Sequence, residues 1–152
     1  MSISIRRAAV LDLPRIVALL QQLSIDAARE DVADPVATPY REAFARIDAD
    51  PAQHLLVAEL EGRVVGTLVV VVIPNLSHRA KPWAVAENVV VDADVRGRGV
   101  GEALLREATA IARAAGCFKL SLTSNKARTE AHRFYGRLGF RATHEGFRIS
   151  FE

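Results

Sequence analysis

Residues Val89 to Leu105 read VVVDADVRGRGVGEALL, a β-branched apolar run that passes through a glycine-rich turn into an amphipathic helix. Gly97, Gly99 and Gly101 leave the backbone bare where the chain reverses. The helix that follows adds unpaired N–H groups and the positive end of its dipole. A turn of this kind binds phosphate. Two common phosphate loops are excluded by what the stretch lacks. The nucleoside-triphosphate loop ends in Gly-Lys-Ser/Thr, whereas here Glu102 and Ala103 follow Gly101. The dinucleotide fingerprint requires a third glycine where this chain has Glu102 and Leu104, and its downstream acidic residue is also missing.

Composition frames that reading. With 152 residues, 50% of them hydrophobic, the chain is long enough to close one substantial core, and a single domain over residues 1–152 is expected. The 20 basic and 18 acidic residues are spread along the chain, unlike the clustered excess of a nucleic-acid binder. Cys117, the one cysteine, excludes an internal disulfide framework and fits a reducing compartment. The amino terminus lacks the apolar core of a signal peptide, and the run Leu68 to Ile73 is too short to span a bilayer. These features predict a soluble cytoplasmic protein without membrane or nucleic-acid partners. His54, His78, His132 and His144 show no ligand spacing, so no metal is expected.

Along the chain the elements alternate. Ile3 to Ala8 reads as a strand. Asp12 caps a helix with Pro14 in its first turn and an apolar stripe of Ile16, Leu20, Leu23 and Ala27. Thr38-Pro39 starts a second helix that Asp50-Pro51 stops. His54 to Leu60, Glu61-Gly62 and Arg63 to Ile73 read as a hairpin whose second strand is buried on both faces. A polar connection, Pro74 to Pro82, leads to a strand from Trp83 to Asp92. Beyond the glycine turn, Val100, Leu104, Ala108, Ile111 and Ala115 repeat at helical spacing until Gly116. Lys119 to Thr123 reads as a short strand, Thr129 to Leu138 as a helix, and the remainder as two short strands split near Glu145-Gly146. The order is β-α-α-β-β-β-α-β-α-β-β.

Arg96-Gly97-Arg98-Gly99-Val100-Gly101, set between a strand and a helix, resembles the acetyl-CoA pyrophosphate loop of the GNAT superfamily of N-acetyltransferases. The likeness extends to EAHRFYGRLGF (Glu130–Phe140), similar to the family's last helix, and to ISIRRAAVLDLPRIVALL at the amino end, similar to its first strand and helix. The resemblance implies the GNAT fold, an α/β (α+β) architecture. Its mixed, mostly antiparallel sheet would have six to seven strands, with helices on both faces.

The same resemblance implies where acetyl-CoA is held. The pantetheine arm would run along the main chain of Val89, Val90 and Val91, and the pyrophosphate would rest on the amides of Arg96, Gly97, Arg98, Gly99, Val100, Gly101 and Glu102. Guanidinium forks match phosphate oxygens, so at least one of Arg96 and Arg98 is expected to face the phosphate; surface charge is the alternative. Phe134 belongs to the Phe-Tyr pair that flanks the cofactor. Many family members carry an asparagine seven residues before the tyrosine. Here that position is Arg128, with Ser124 and Asn125 just upstream as substitutes, although Asn125 also suits a turn.

Acetyl transfer to an amine requires a base for the amine's proton and an acid for the departing thiolate. Glu87 is the candidate base, because an acid inside an apolar strand costs free energy unless it has work or a partner. A glutamate paired with a nearby arginine is the alternative. Tyr135 is the candidate acid, since a phenol's pKa lies near a thiol's; a tyrosine packed on a helix face is the alternative. A backbone amide near Val89 to Val91 would polarise the carbonyl. Cys117, with no adjacent base, reads as core filling.

The blocks GTLVVVVIPNLSHRAKPWAVAENVVV and GCFKLSLT resemble the family's amino-sugar branch, which acetylates glucosamine 6-phosphate and carries Glu-Asp where this chain has Glu87-Asn88. His78, Arg79 and Lys81 either meet a substrate phosphate or form a solvated loop. The expected partner is a small-molecule amine. A non-catalytic acyl-CoA-binding module is the reading from a different class. Apolar strand edges and the family likeness predict a homodimer.

Overall fold

Alternating apolar strands with short turns dictate the hairpin at the centre of the structure. In the computed structural model, which describes residues 2–24, 26 and 28–152, five strands form one sheet in the order β1-β2-β3-β4-β5. They are β1 (Ile3–Arg7), β2 (Gln53–Leu60), β3 (Arg63–Ile73), β4 (Trp83–Val91) and β5 (Leu120–Ser121). The first four pair antiparallel, and β5 runs parallel to β4. The helices are α1 (Leu13–Gln21), α2 (Thr38–Ala49), a single turn α3 (Ser77–Ala80), α4 (Val100–Ala114) and α5 (Thr129–Arg137). The chain divides into two compact units, Met1–Ser121 and Leu122–Glu152.

Strand pleat decides which helix covers which face. Val57 pairs with Thr67 and Ala58 with Gly66, so adjacent pairs point to opposite sides of the sheet. Val57 joins Leu13, Ile16, Val17 and Leu19 of α1 and Phe44 of α2 in one buried cluster. On the other side Gly66 faces α4. A Cβ at Gly66 would lie 3.0 Å from both Leu104 Cδ1 and Val100 Cγ1 and 3.2 Å from the Val90 carbonyl oxygen, so glycine sets how closely α4 approaches the sheet. Val100, Leu104, Leu105, Ala108 and Ala112 are the buried stripe of α4, each large aliphatic side chain contributing about 1.5–3 kcal/mol by leaving water. Helices on both faces are therefore as expected.

Several boundaries differ from expectation. Asp12 stands before α1, but its carboxylate accepts the Ala9 N–H at 2.7 Å and closes a 3-10 turn, Val10–Asp12, ahead of the helix. α1 ends at Gln21, so Leu23 packs against the cluster from beyond the helix, while Ala27 lies outside the described residues. β5 has two residues where five were expected, because only Ala84 and Val85 of β4 pair with it. The two C-terminal strands are not formed: no strand follows β5 among the described residues, and the sheet has five strands in place of six or seven. An extended segment becomes a strand only against a partner edge, and among the described residues 138–152 pair with none.

Candidate functional site

The first unit presents a strand edge that ends in a glycine-rich turn at the N-terminus of α4. β4 stays paired with β3 as far as Val91, but β5 leaves it after Val85, so from Ala86 to Val91 the outer edge of β4 pairs with no strand of the described residues. Those main-chain groups require partners, and an extended ligand arm supplies them as an added strand would. The register shifts where Thr67 opposes Val90 and Val69 opposes Glu87, leaving Asn88 and Val89 opposite Leu68 alone. Asn88 adopts φ 55°, the left-handed conformation its short polar side chain tolerates. Glu87 lies just before this bulge, paired with Val69 on the face that carries α1 and α2. Glu87 is exposed and makes no side-chain hydrogen bond or ion pair among the described residues. The expectation of an acid embedded in apolar strand is corrected: Glu87 is exposed on a stretch of β4 that β5 does not reach, and the arginine pairing is not formed among the described residues either. Val90 is buried in the α1/α2 cluster, whereas Val89 and Val91 are half-buried.

Beyond Val91, Asp92 anchors the turn. It is 3% exposed and caps the 3-10 turn Ala93–Val95 by accepting the Asp94 N–H at 3.2 Å. Arg63 of β3 donates to its Oδ2 at 2.8 Å, Arg15 of α1 donates to the same oxygen, and Gln22 reaches Oδ1 at 3.4 Å. Gln22 in turn accepts the Ala93 N–H at 3.0 Å. Burial by itself would raise the carboxyl pKa, but these hydrogen bonds outweigh it and hold the pKa at about 2. Asp92 therefore ties α1, β3 and the turn together as a permanent anion. Its role was not read from sequence, although an acid directly after an apolar strand, with Asp94 two residues on, is a recognisable cap signal.

From this anchor the chain enters the turn. Gly97 (φ 83°) and Gly99 (φ 86°) both take the left-handed conformation, and Gly99 is the N-cap of α4 without a side chain to close it. The first intrahelical bond there runs from the Ala103 N–H to the Gly99 carbonyl, so the amides of Val100, Gly101 and Glu102 have no partner within the helix. Arg96 folds back, its Nε donating to the Val91 carbonyl at 3.3 Å, and both Arg96 and Arg98 are exposed. Glu102 is held by Arg106 at 2.5 Å one turn along.

Asn125, Arg128, Phe134 and Tyr135 belong to the second unit. Asn125 is a turn residue: its Oδ1 accepts the Ala127 N–H at 2.9 Å. The hydroxyl left without a partner is that of Ser124, whose buried Oγ has no hydrogen bond among the described residues. Arg128 is the N-cap of α5. The rings of Phe134 and Tyr135 lie 5.5 Å apart, and Tyr135 meets Phe140 edge-on at 5.9 Å. Burial pushes the Tyr135 phenol pKa up, and the positive charge of Arg128 opposes that shift. Burial likewise raises the Cys117 thiol, as befits a side chain that fills space and carries no thiolate. No metal-holding group of His, Cys, Asp or Glu occurs among the described residues, and no described helix is long and apolar enough to cross a membrane.

An open β4 edge that runs into a glycine-capped helix is a recurrent ligand geometry, and residues 19–140 match the family model of the acetyltransferase (GNAT) family. The chain belongs to the acetyltransferase (GNAT) family. Among GNAT relatives, the Trypanosoma brucei brucei glucosamine 6-phosphate N-acetyltransferase is 35% identical over 88 residues, a match that spans 58% of each chain. A probable glucosamine 6-phosphate N-acetyltransferase 2 of Oryza sativa subsp. japonica is 34% identical over 145 residues, covering 91% of this chain and 82% of that one. Among solved structures, a transcriptional regulator from Bacillus halodurans C-125 superposes with a TM-score of 0.93 at 34% identity, over 99% of this chain and all of the other.

Proposed function

We propose that the protein is an acetyl-CoA-dependent N-acetyltransferase acting on the primary amine of a small molecule, as a single catalytic domain in the cytoplasm. The observation that carries this reading is the unpaired β4 edge leading into the left-handed glycines at the bare N-terminus of α4. In this reading the main chain of Val89 to Val91 receives the pantetheine amides, and the N–H groups from Arg96 to Glu102 receive the pyrophosphate. Of the two residues that could stand in for the family's asparagine, Ser124 is supported by its orphaned hydroxyl, whereas the Asn125 oxygen is occupied by its own turn. The family resemblance assigns Phe134 and Arg128 to cofactor binding as well.

Glu87 takes the amine's proton through water, which frees the nitrogen lone pair to form the new N–C bond as the C–S bond breaks. Tyr135 gives its proton to the departing thiolate, and a β4 amide polarises the carbonyl oxygen. The solvent-facing, unpaired carboxylate of Glu87 and the raised phenol pKa of Tyr135 both support these roles. The amino-sugar relatives support an amino-sugar phosphate as the amine, with Asn88 beside Glu87 as this chain's own feature. A homodimer remains part of this reading.

A second reading, an acyl-CoA-binding regulator without turnover, is favoured by the Bacillus halodurans neighbour described as a transcriptional regulator. Calorimetry with acetyl-CoA, run beside thiol release with glucosamine 6-phosphate, aminoglycosides and peptide amines, decides between them. Binding with thiol release on an amino sugar is the expected result. Binding without release on any amine would establish the regulator, and absence of binding would overturn both.

A further inference from the structure

α1 directs two polar side chains toward the segment that leads into the glycine turn. Arg15 lies in the helix and Gln22 is its C-cap; their spacing is two helical turns, so the two share a face. Arg15 donates to the Val64 carbonyl at 2.9 Å as well as to Asp92, which ties it into β3. Gln22 is exposed, yet both ends of its amide go to adjacent residues of one turn: Nε2 donates to Asp92 Oδ1 at 3.4 Å, and Oε1 accepts the Ala93 N–H at 3.0 Å. The amides of the 3-10 turn Ala93–Val95 are satisfied unequally. The Asp94 N–H bonds the Asp92 side chain at 3.2 Å and the Val95 N–H bonds the Asp92 carbonyl at 3.0 Å, so both are settled locally. Of the three, only the Ala93 N–H is fixed from another element. An exposed glutamine at a helix end ordinarily stays solvated, because holding it in one rotamer costs side-chain entropy. Gln22 is held at both ends, and the turn it holds runs directly into Arg96.

We propose that Gln22 is a positioning residue for acetyl-CoA: by pinning the Ala93 N–H to the end of α1, it sets the place from which the amides of Arg96 to Glu102 meet the pyrophosphate. Donors already in place bind an anion without the cost of ordering them. Gln22 touches no ligand and acts through Ala93 and Asp92. The role rests on the acetyl-CoA reading above and deepens it, because it makes the pyrophosphate end of the cofactor site depend on a residue of the first helix. Gln22 is exposed, and Arg15 and Arg63 still hold Asp92 when it is replaced, so its substitution leaves the fold intact.

Gln22→Met keeps the length of the side chain and removes both hydrogen bonds. Calorimetry on the full chain should find acetyl-CoA bound about 10-fold more weakly, the effect of losing one well-made hydrogen bond, while S-acetylpantetheine, which lacks the pyrophosphate, binds variant and wild type alike. Amide exchange at Ala93 should quicken in the unliganded variant, and the urea midpoint should stay where it is. In thiol release the KM for acetyl-CoA should rise by the same factor with kcat retained. Equal affinity of variant and wild type for acetyl-CoA would overturn the role of Gln22 and leave the cofactor reading standing. An equal loss on both ligands, or a lowered urea midpoint, would reduce Gln22 to a structural contact and overturn the positioning role. A wild-type chain that binds no acetyl-CoA would overturn the cofactor reading, and the positioning role with it.

Discussion

In the proposed reaction Glu87 and Tyr135 divide two proton transfers between an exposed carboxylate and a half-buried phenol, and each assignment has its own pH signature. Tyr135→Phe keeps the ring packing against Phe134 and Phe140 but removes the proton, so acetyl-CoA affinity should hold while turnover falls about 10²-fold. Burial raises the phenol pKa, so the acid stays protonated beyond the usual phenol value of about 10. The alkaline fall in wild-type turnover should therefore lie above that value and vanish in Tyr135→Phe; a variant with wild-type turnover would return the proton transfer to water. Glu87→Gln should slow acetylation most at neutral pH, with the deficit shrinking as pH approaches the amine's own pKa, because solvent then deprotonates the nucleophile. Parallel rate–pH curves for Glu87→Gln and wild type would remove Glu87 from the mechanism.

At the scale of elements, the site is a junction of β3, β4 and α4 held at a distance that glycine sets. Gly66→Ala would place a methyl 3.0 Å from two α4 side chains, which can shift, and 3.2 Å from the Val90 carbonyl oxygen, which the sheet fixes. The start of α4 must then tilt outward. The expected cost is about 1–3 kcal/mol in urea unfolding, with weaker acetyl-CoA binding as the helix amides leave their places. At Gly99 the neighbourhood is open space, so bulk is accommodated there. Gly99→Glu instead pays left-handed strain of about 1–2 kcal/mol and sets a negative charge at the turn proposed to hold the pyrophosphate. Calorimetry should find cofactor binding abolished with the fold retained, and unchanged affinity would sink the loop assignment.

Across the whole first unit, two buried or half-buried carboxylates govern acid stability. Asp92 is held at about 2 by Asp94, Arg15, Gln22 and Arg63 against the cost of burial, and hydrogen bonds from Arg6 hold Asp12 below its ordinary value. Groups whose native pKa is depressed stabilise the fold fully above their unfolded value near 4, and that stability drains away as pH falls through the native value. His54, pushed down by burial and by Arg7, adds a loss of the same sign that begins as pH falls through about 6.5. Denaturant midpoints should therefore decline as pH falls below 6 and steepen from pH 4 toward 2. Asp92→Asn should cost about 2–3 kcal/mol at neutral pH by leaving Arg15 and Arg63 without their anion, and should flatten the steep acid portion of that curve. An unaltered acid profile would show that Asp92 is not the anchor of the turn.

Patterning alone determined the hairpin β2–β3, the glycine turn and α4, because period, turn chemistry and capping agree locally at each of these sites. The turn from Arg96 to Glu102, on which the proposed phosphate site rests, was legible for the same reason: its backbone conformations are those that glycine spacing announces. Tertiary structure decided what pairing and burial control. Leu120–Ser121 is shorter than its sequence suggests because β5 leaves β4 after two residues, and that departure opens the strand edge. The Asn88 bulge beside Glu87 depends on register against β3 and has no local signature. Asp92 became the anchor only when α1 and β3 brought Arg15 and Arg63 to it across the fold. The C-terminal alternation of Phe147, Ile149 and Phe151 promised a strand, but a strand exists only where an edge receives it, and sequence cannot say which edge that is.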